Sequence, residues 1–305
     1  MPAKKVPPSY HPRTWPTHLG LLLLRLLGLL PLPLIWLISY PLGLFLYALV
    51  GSRRRVTQRN LARCFPSLAK AQVNRLARRH FWHLCQNVLA AGITYFSGAR
   101  RIRRLVRVRG EEHLTGAQAR GENIIILAPH FLSLDICGVR LGIDHGGASM
   151  YQPIHNKVLN DQILAGRSRF GTAILPNTAA LRPLLRLIKK GTPFYYLPDQ
   201  SPSGQEGIFV PFFNIQTLTY PTLGRLTRLT KATVIPCRCR QLSLGRGYEV
   251  EFQPPLEHFH GDDEYNDTLR MNGVVEELIG PQPEHYMWIH RRFKIRPPGE
   301  PAFYE

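Results

Sequence analysis

The chain has 305 residues, 44% of them hydrophobic, which is enough for one large or two small domains around a substantial core and excludes a stapled miniprotein or a disordered chain. Lys and Arg number 39 against 20 Asp and Glu, a net charge of +19 that calls for anionic partners. Five cysteines (Cys64, Cys85, Cys137, Cys237, Cys239) form an odd set without a C-x-x-C pair, so neither a disulfide framework nor a zinc site is indicated and a reducing compartment fits.

Near the N-terminus, Leu26 to Val50 form a run of 25 residues without a charge, preceded by LGLLLL and Arg25. That length is sufficient to cross a hydrocarbon core of about 30 Å. The run passes straight into GSRRR without a small-residue cleavage site, so it reads as a retained anchor. Pro31, Pro33 and Pro41 oppose one straight helix, and a kinked or re-entrant hairpin is the alternative to the expected span. A core helix of a soluble protein normally shows a polar face, and this stretch has none. Lys4, Lys5 and Arg13 lie before it and Arg53, Arg54, Arg55 and Arg59 after it. The denser cluster places the remainder of the chain in the cytoplasm. The expected division is a basic tail over 1–18, an anchor over 19–52, the main domain over 53–298 and a short tail over 299–305.

Between 53 and 100, Leu61, Phe65, Leu68, Val73, Leu76, Phe81, Leu84 and Val88 recur at helical spacing among polar residues, which predicts amphipathic helices. RRIRRLVRVR then packs six arginines between Arg100 and Arg109 and ends in an alternating, edge-strand pattern. NIIILAPH from Asn123 is a short β-branched strand, followed by a helix in FLSLDICGVRL. ASMYQPI reads as a strand, Asn156 to Arg169 as a polar helix, LRPLLRLIKKG as a helix, and FYYLPDQ and KATVIPCRCRQL as buried strands. Short apolar strands alternating with helices predict an α/β fold whose sheet is covered on its faces. Cys237 and Cys239 alternate within the last strand and read as buried thiols.

His130 stands where a buried strand gives way to a helix, the place where open α/β sheets present reactive groups. Asp135 follows five residues on. Five residues of continuous helix turn through about 500°, some 140° from the start, so His130 belongs to the turn before the helix, as Pro129 also indicates. An imidazole that accepts a proton on one nitrogen gains from a carboxylate on the other, and the pair is expected to act as base and orienter. There is no G-x-S-x-G elbow. His80 with His83, and His285 with His290, have possible metal spacing but no third ligand, so no metal is expected.

HFLSLD, YQPIHNKVLNDQILAGRSRFG at 151–171, YLPDQSPSGQEGIFVPFF at 196–213, TKATVIP at 230–236 and HYMWIHRRFK at 285–294 closely resemble the successive blocks of the bacterial lipid A biosynthesis acyltransferases, the lauroyl/myristoyl type. The likeness runs from about residue 20 to 298. It implies a glycerophosphate-acyltransferase-like mixed α/β sheet covered by helices, with an N-terminal membrane anchor in the cell inner membrane. It further implies transfer of a fatty acyl chain from acyl-carrier protein to a hydroxyl of a Kdo-bearing lipid A precursor, without a cofactor. On that likeness His130 is the general base and Asp135 its orienter. Arg167 and Arg169 meet a phosphate or a developing oxyanion, and Asn156 and Asp199 contact the acceptor. Arg291, Arg292 and Lys294 are expected to meet anionic headgroups or the carrier protein, and FVPFF either lines an acyl groove or fills the core. The pattern departs at Asn160, followed by Asp161, where relatives often carry an acidic residue. Another membrane lipid as acceptor, an aminolipid or a lysophospholipid, is the alternative. A basic tethered binding protein is the remaining one, and no nucleic-acid reader motif supports it.

Overall fold

A computed structural model describes residues 11–177, 181–202, 206–259 and 263–304, so Lys4 and Lys5 lie outside the described residues. The apolar run is broken as its prolines require. Helix α1 (Trp15–Leu27) ends at Gly28, and α2 (Leu32–Leu49) starts after Pro31, with Pro33 in its first turn and Pro41 inside. Helices α3 (Gly51–Cys64), α4 (Lys70–Phe96) and α5 (Ala99–Leu105) follow. Helix α2 is long and apolar enough to cross a membrane. It nevertheless lies along α4, burying Leu32, Ile35, Ser39 and Gly43 at helical spacing. Gly43 permits this approach, since a Cβ there would stand 2.6 Å from the Trp82 Cα, and Gly92 permits that of α1 on α4, since a Cβ there would stand 1.7 Å from the Leu24 carbonyl oxygen. Leu19, Leu22, Leu23 and Leu26 of α1 and Leu34, Leu37, Leu42 and Phe45 of α2 remain exposed.

The flanking arginines partly serve the hairpin itself. Arg54 donates to the carbonyls of Tyr47 and Ala48 at 3.0 and 3.2 Å, and Arg101 donates to those of Gly28 and Leu30. These carbonyls close the helix C-termini, where a cation is favoured.

The main domain alternates β1 (Val106–Arg109), α6 (Glu111–Ala119), β2 (Ile124–Leu127), α7 (Leu134–His145), β3 (Gly147–Tyr151), α8 (Lys157–Ser168), β4 (Thr172–Pro176), α9 (Leu181–Lys189) and β5 (Phe194–Tyr196). A hairpin of β6 (Ile208–Phe212) and β7 (Ile215–Thr219), then α10 (Thr222–Thr230), β8 (Thr233–Gln241), β9 (Tyr248–Phe252) and α11 (Glu264–Ile279) complete it. Seven strands form one sheet in the order β1-β9-β8-β2-β5-β3-β4, parallel throughout except between β8 and β9. Each residue of the central β2 is fully buried, as the unbroken IIIL run implies for a strand covered on both faces.

Within FVPFF, Val210 and Phe212 are buried, and Phe212 packs on Phe213 and Phe293 with centroids 4.9 and 6.1 Å apart. Arg292 is not on a basic surface: it is buried, donating to the Leu218 carbonyl and the Thr219 hydroxyl at 2.7 Å each, while Arg291 and Lys294 are exposed.

Candidate active site

The register of β2 against β5 builds the site. Leu127 pairs with Tyr196 in parallel, so both strands leave the sheet at the same edge, and His130 and Asp199 each follow three residues later. The His130 ring donates from Nδ1 to Asp199 Oδ1 at 2.7 Å, and the His130 backbone N–H donates to Oδ2 at 2.8 Å. The carboxylate thereby fixes both the ring and the main chain of one residue. Burial alone would raise the Asp199 carboxyl. The charge and hydrogen bonds of His130, with a smaller contribution from Tyr286, overcome that and hold it below the ordinary carboxylate value. An ionised Asp199 only accepts, so Nδ1 is the protonated nitrogen in this bond and Nε2 is the one left to exchange a proton with an acceptor. The imidazole is 20% exposed and lines a cavity of about 470 Å³. Behind it, the His290 Nε2 accepts the Ser201 backbone N–H at 3.2 Å, and burial holds that imidazole down to about 4.

The carboxylate that His130 engages is thus Asp199 and not the expected Asp135. Asp135 lies in the first turn of α7, separated from His130 by the turn at 131–133 as expected, but its oxygens are taken by other groups. Oδ1 accepts from Arg167 Nε at 3.0 Å and from a terminal guanidinium nitrogen at 2.6 Å, and Oδ2 accepts the Tyr95 hydroxyl at 2.5 Å. A charged, forked donor outcompetes a neutral ring N–H for a carboxylate. Gly166 allows this, since a Cβ there would stand 2.6 Å from the Tyr95 ring; without one, α8 closes on α4 and the next residue, Arg167, reaches Asp135. Burial lowers the Arg167 guanidinium, but Asp135 and Tyr95 more than offset that and hold its proton firmly. Burial, followed by the Asp135 charge, raises the Tyr95 phenol.

The cavity joins His130, Asp135 and Arg167 to an apolar interior. It follows α7 from Leu134 to Leu141, about 10 Å of helix axis, and reaches Ile126 of β2 and Cys237 and Cys239 of β8. Gly138 lines it with no side chain, and a Cβ placed there would meet nothing within 4 Å. Burial, with contacts to the other two thiols of this trio, raises Cys137. Cys239, which accepts from Cys137 and Cys237, is drawn down.

The remaining expected residues divide. Arg169 does not line the cavity; it donates to the Thr94 carbonyl at 2.7 Å, with its guanidinium 4.5 Å from the Phe170 ring centroid. Asn156 caps α8, accepting the Leu159 N–H at 3.1 Å, and its amide reaches Thr17 of α1 at 2.8 Å. Asn160 lines the cavity and accepts the Ile154 N–H at 3.0 Å, while Asp161 is paired with Lys157. Among the described residues no group of three or more metal-ligating side chains comes together.

With this geometry in view, comparison with known proteins is decisive. The profile of the bacterial lipid A biosynthesis acyltransferases matches residues 3–295. The chain belongs to that family. The acyltransferase is 32% identical over 295 residues to the lipid A biosynthesis lauroyltransferase of Escherichia coli (strain K12), covering 96% of each chain. It is 30% identical over 299 residues to the palmitoleoyltransferase of the same strain, again 96% of each, and 29% identical to its myristoyltransferase, over 95% of this acyltransferase and 90% of that relative.

Proposed function

We propose that the protein transfers a fatty acyl chain from an acyl-carrier-protein thioester to a hydroxyl of a Kdo-bearing lipid A precursor. The acceptor O–H donates its proton to Nε2 of His130 as its oxygen attacks the thioester carbonyl carbon. Asp199 stabilises the imidazolium that forms. Arg167, held in place by Asp135 and Tyr95, faces the negative charge of the tetrahedral oxygen or of the acceptor's phosphate. The tetrahedral species collapses with cleavage of the C–S bond, and the imidazolium returns its proton to the departing thiolate. The single observation that carries this reading is an imidazole held by a buried carboxylate at the mouth of a cavity that runs on past Asp135 and Arg167 to apolar residues of α7, β2 and β8. Direct attack is preferred to an acyl-cysteine because, among the described residues, no imidazole is hydrogen-bonded to the thiol trio.

The reading includes a glycerophosphate-acyltransferase-like fold for residues 53–298 and attachment of residues 19–52 to the cytoplasmic face of the inner membrane. The exposed leucines of α1 and α2 support membrane attachment. Because α2 lies along α4, this attachment is a helical hairpin carried on the domain, not a free stalk. Purified protein in non-ionic detergent, offered acyl-carrier-protein or acyl-coenzyme A donors and either a phosphorylated glucosamine disaccharide lipid or a lysophospholipid, tests the reading by mass spectrometry of products. An ester on the disaccharide lipid, drawn from the carrier-protein donor, is expected. Product on the lysophospholipid alone would reject it.

A further inference from the structure

A second cavity, of about 410 Å³, shares no lining residue with the first. It forms where the first turns of α2 meet α4 and the end of β8 that runs past β2 while still paired with β9. β2 stops opposite Pro236, whereas β8 continues to Gln241. Trp36 and Trp82, with centroids 5.1 Å apart, line one side. Arg79, Arg107, Arg240 and Arg246 also line it, against one carboxylate, Glu284, which takes Arg79 at 3.3 Å. Arg240 also takes Glu249 at 2.8 Å. The exposed Arg246 makes only local bonds to Ser243, and the exposed Arg107 forms no ion pair among the described residues.

Two imidazoles, the half-buried His83 and the buried His285, complete the wall with ring centroids 4.4 Å apart. His83 Nδ1 is engaged by Gln241 Oε1 at 2.7 Å. His285 is 4% exposed, and its Nδ1 is buried without a hydrogen-bond partner among the described residues. Burial, then the positive surroundings of His83, Arg240, His80 and Arg79, hold that imidazole well below its ordinary value. An unpaired buried nitrogen and uncompensated guanidinium charge are both relieved by an oxyanion.

We infer that this cavity binds the phosphoryl group of a membrane-lipid headgroup. Guanidinium groups offer paired donors to phosphate oxygens, and a proton on His285 Nδ1 supplies one more. The two indoles suit the sugar or glycerol that carries the phosphate at a membrane interface. The volume is that of a site for a small organic group. A lipid source fits because α2 supplies Trp36 while exposing Leu34 and Leu37. That source rests on the membrane attachment proposed above; the phosphoryl chemistry does not.

The test is phosphorus-31 NMR line broadening with full-length protein in non-ionic maltoside micelles, titrated separately with phosphatidic acid and inorganic phosphate. Wild type is compared with R107Q/R246Q and with R63Q/R104Q, a charge-matched pair of exposed arginines outside the cavity. Phosphatidic acid is expected to saturate wild type, to bind R107Q/R246Q roughly tenfold more weakly, and to bind R63Q/R104Q within about twofold of wild type. Inorganic phosphate should show the same ranking at lower affinity. Equal weakening by both pairs, or no saturable binding of either probe, overturns the site. Saturation by inorganic phosphate alone overturns the lipid assignment. Neither readout depends on acyl transfer, so the site and the proposed reaction fail separately.

Discussion

Asp199→Asn keeps the size of the side chain and removes its charge. Asp199 uses Oδ1 for the His130 ring and Oδ2 for the His130 backbone N–H, at 2.7 and 2.8 Å. An amide offers one oxygen to these two donors and turns its own NH₂ toward the other. Facing the ring, that NH₂ favours the tautomer protonated on Nε2, which cannot take a proton from an alcohol. General-base assistance is worth about 10²–10⁴-fold, or about 2.7–5.4 kcal/mol of barrier. The same exchange in a serine-protease triad lies near the upper end, about 10⁴-fold. Initial rates from acyl-carrier-protein thioester to a lipid A precursor in detergent micelles give kcat and KM separately. The expected result is a kcat reduced by about 10²–10⁴-fold with little change in either KM. A variant whose kcat keeps the wild-type order of magnitude refutes Asp199 as the orienting carboxylate. If Asp135→Asn instead carried the whole loss, that role would return to Asp135.

Gly138→Leu puts a side chain into the cavity at a position where an added Cβ meets nothing within 4 Å, and should lower transfer of long acyl chains more than short ones; an unchanged chain-length profile in a donor panel would place the acyl chain elsewhere. Gly92→Ala drives a methyl into the Leu24 carbonyl, costs about 1–3 kcal/mol of packing and should lift α1 from α4, seen as faster tryptic cleavage at Arg25; wild-type cleavage would refute that contact. The depressed carboxyl of Asp199 contributes stability that is complete above the ordinary Asp value near 3.9 and is lost as pH falls through the lower folded value. Between about pH 5 and about pH 3, the thermal midpoint of wild type should therefore fall more steeply than that of Asp199→Asn, and parallel curves would contradict the assignment.

Much of the frame is legible in the residues. The IIIL run, the prolines that split the apolar segment and the break between His130 and the helix of Asp135 each follow from local geometry. The partner of His130 does not, because it depends on β2 lying beside β5, a pairing between strands almost seventy residues apart that no spacing in the chain announces. Tyr95 was missed for a similar reason: it is one aromatic on a long helix until α8 brings Arg167 and α7 brings Asp135 beside it. The β6–β7 hairpin was missed because its turn is Phe213–Asn214, both left-handed, without the Asn-Gly signature. Arg292 looked like surface charge because it follows another arginine, yet the strand-end carbonyl of Leu218 and the hydroxyl of Thr219 give its guanidinium a buried seat.

Single-turnover transfer by His130→Gln bears on the base most directly. Glutamine retains a polar side chain that can bond Asp199 but has no group able to accept the alcohol proton near neutral pH. With donor and acceptor saturating and the thermal midpoint confirming a folded protein, the rate constant should fall by about 10²–10⁴-fold while both substrates still bind. A folded His130→Gln protein that turns over at the wild-type rate would contradict the imidazole as the group that activates the acceptor.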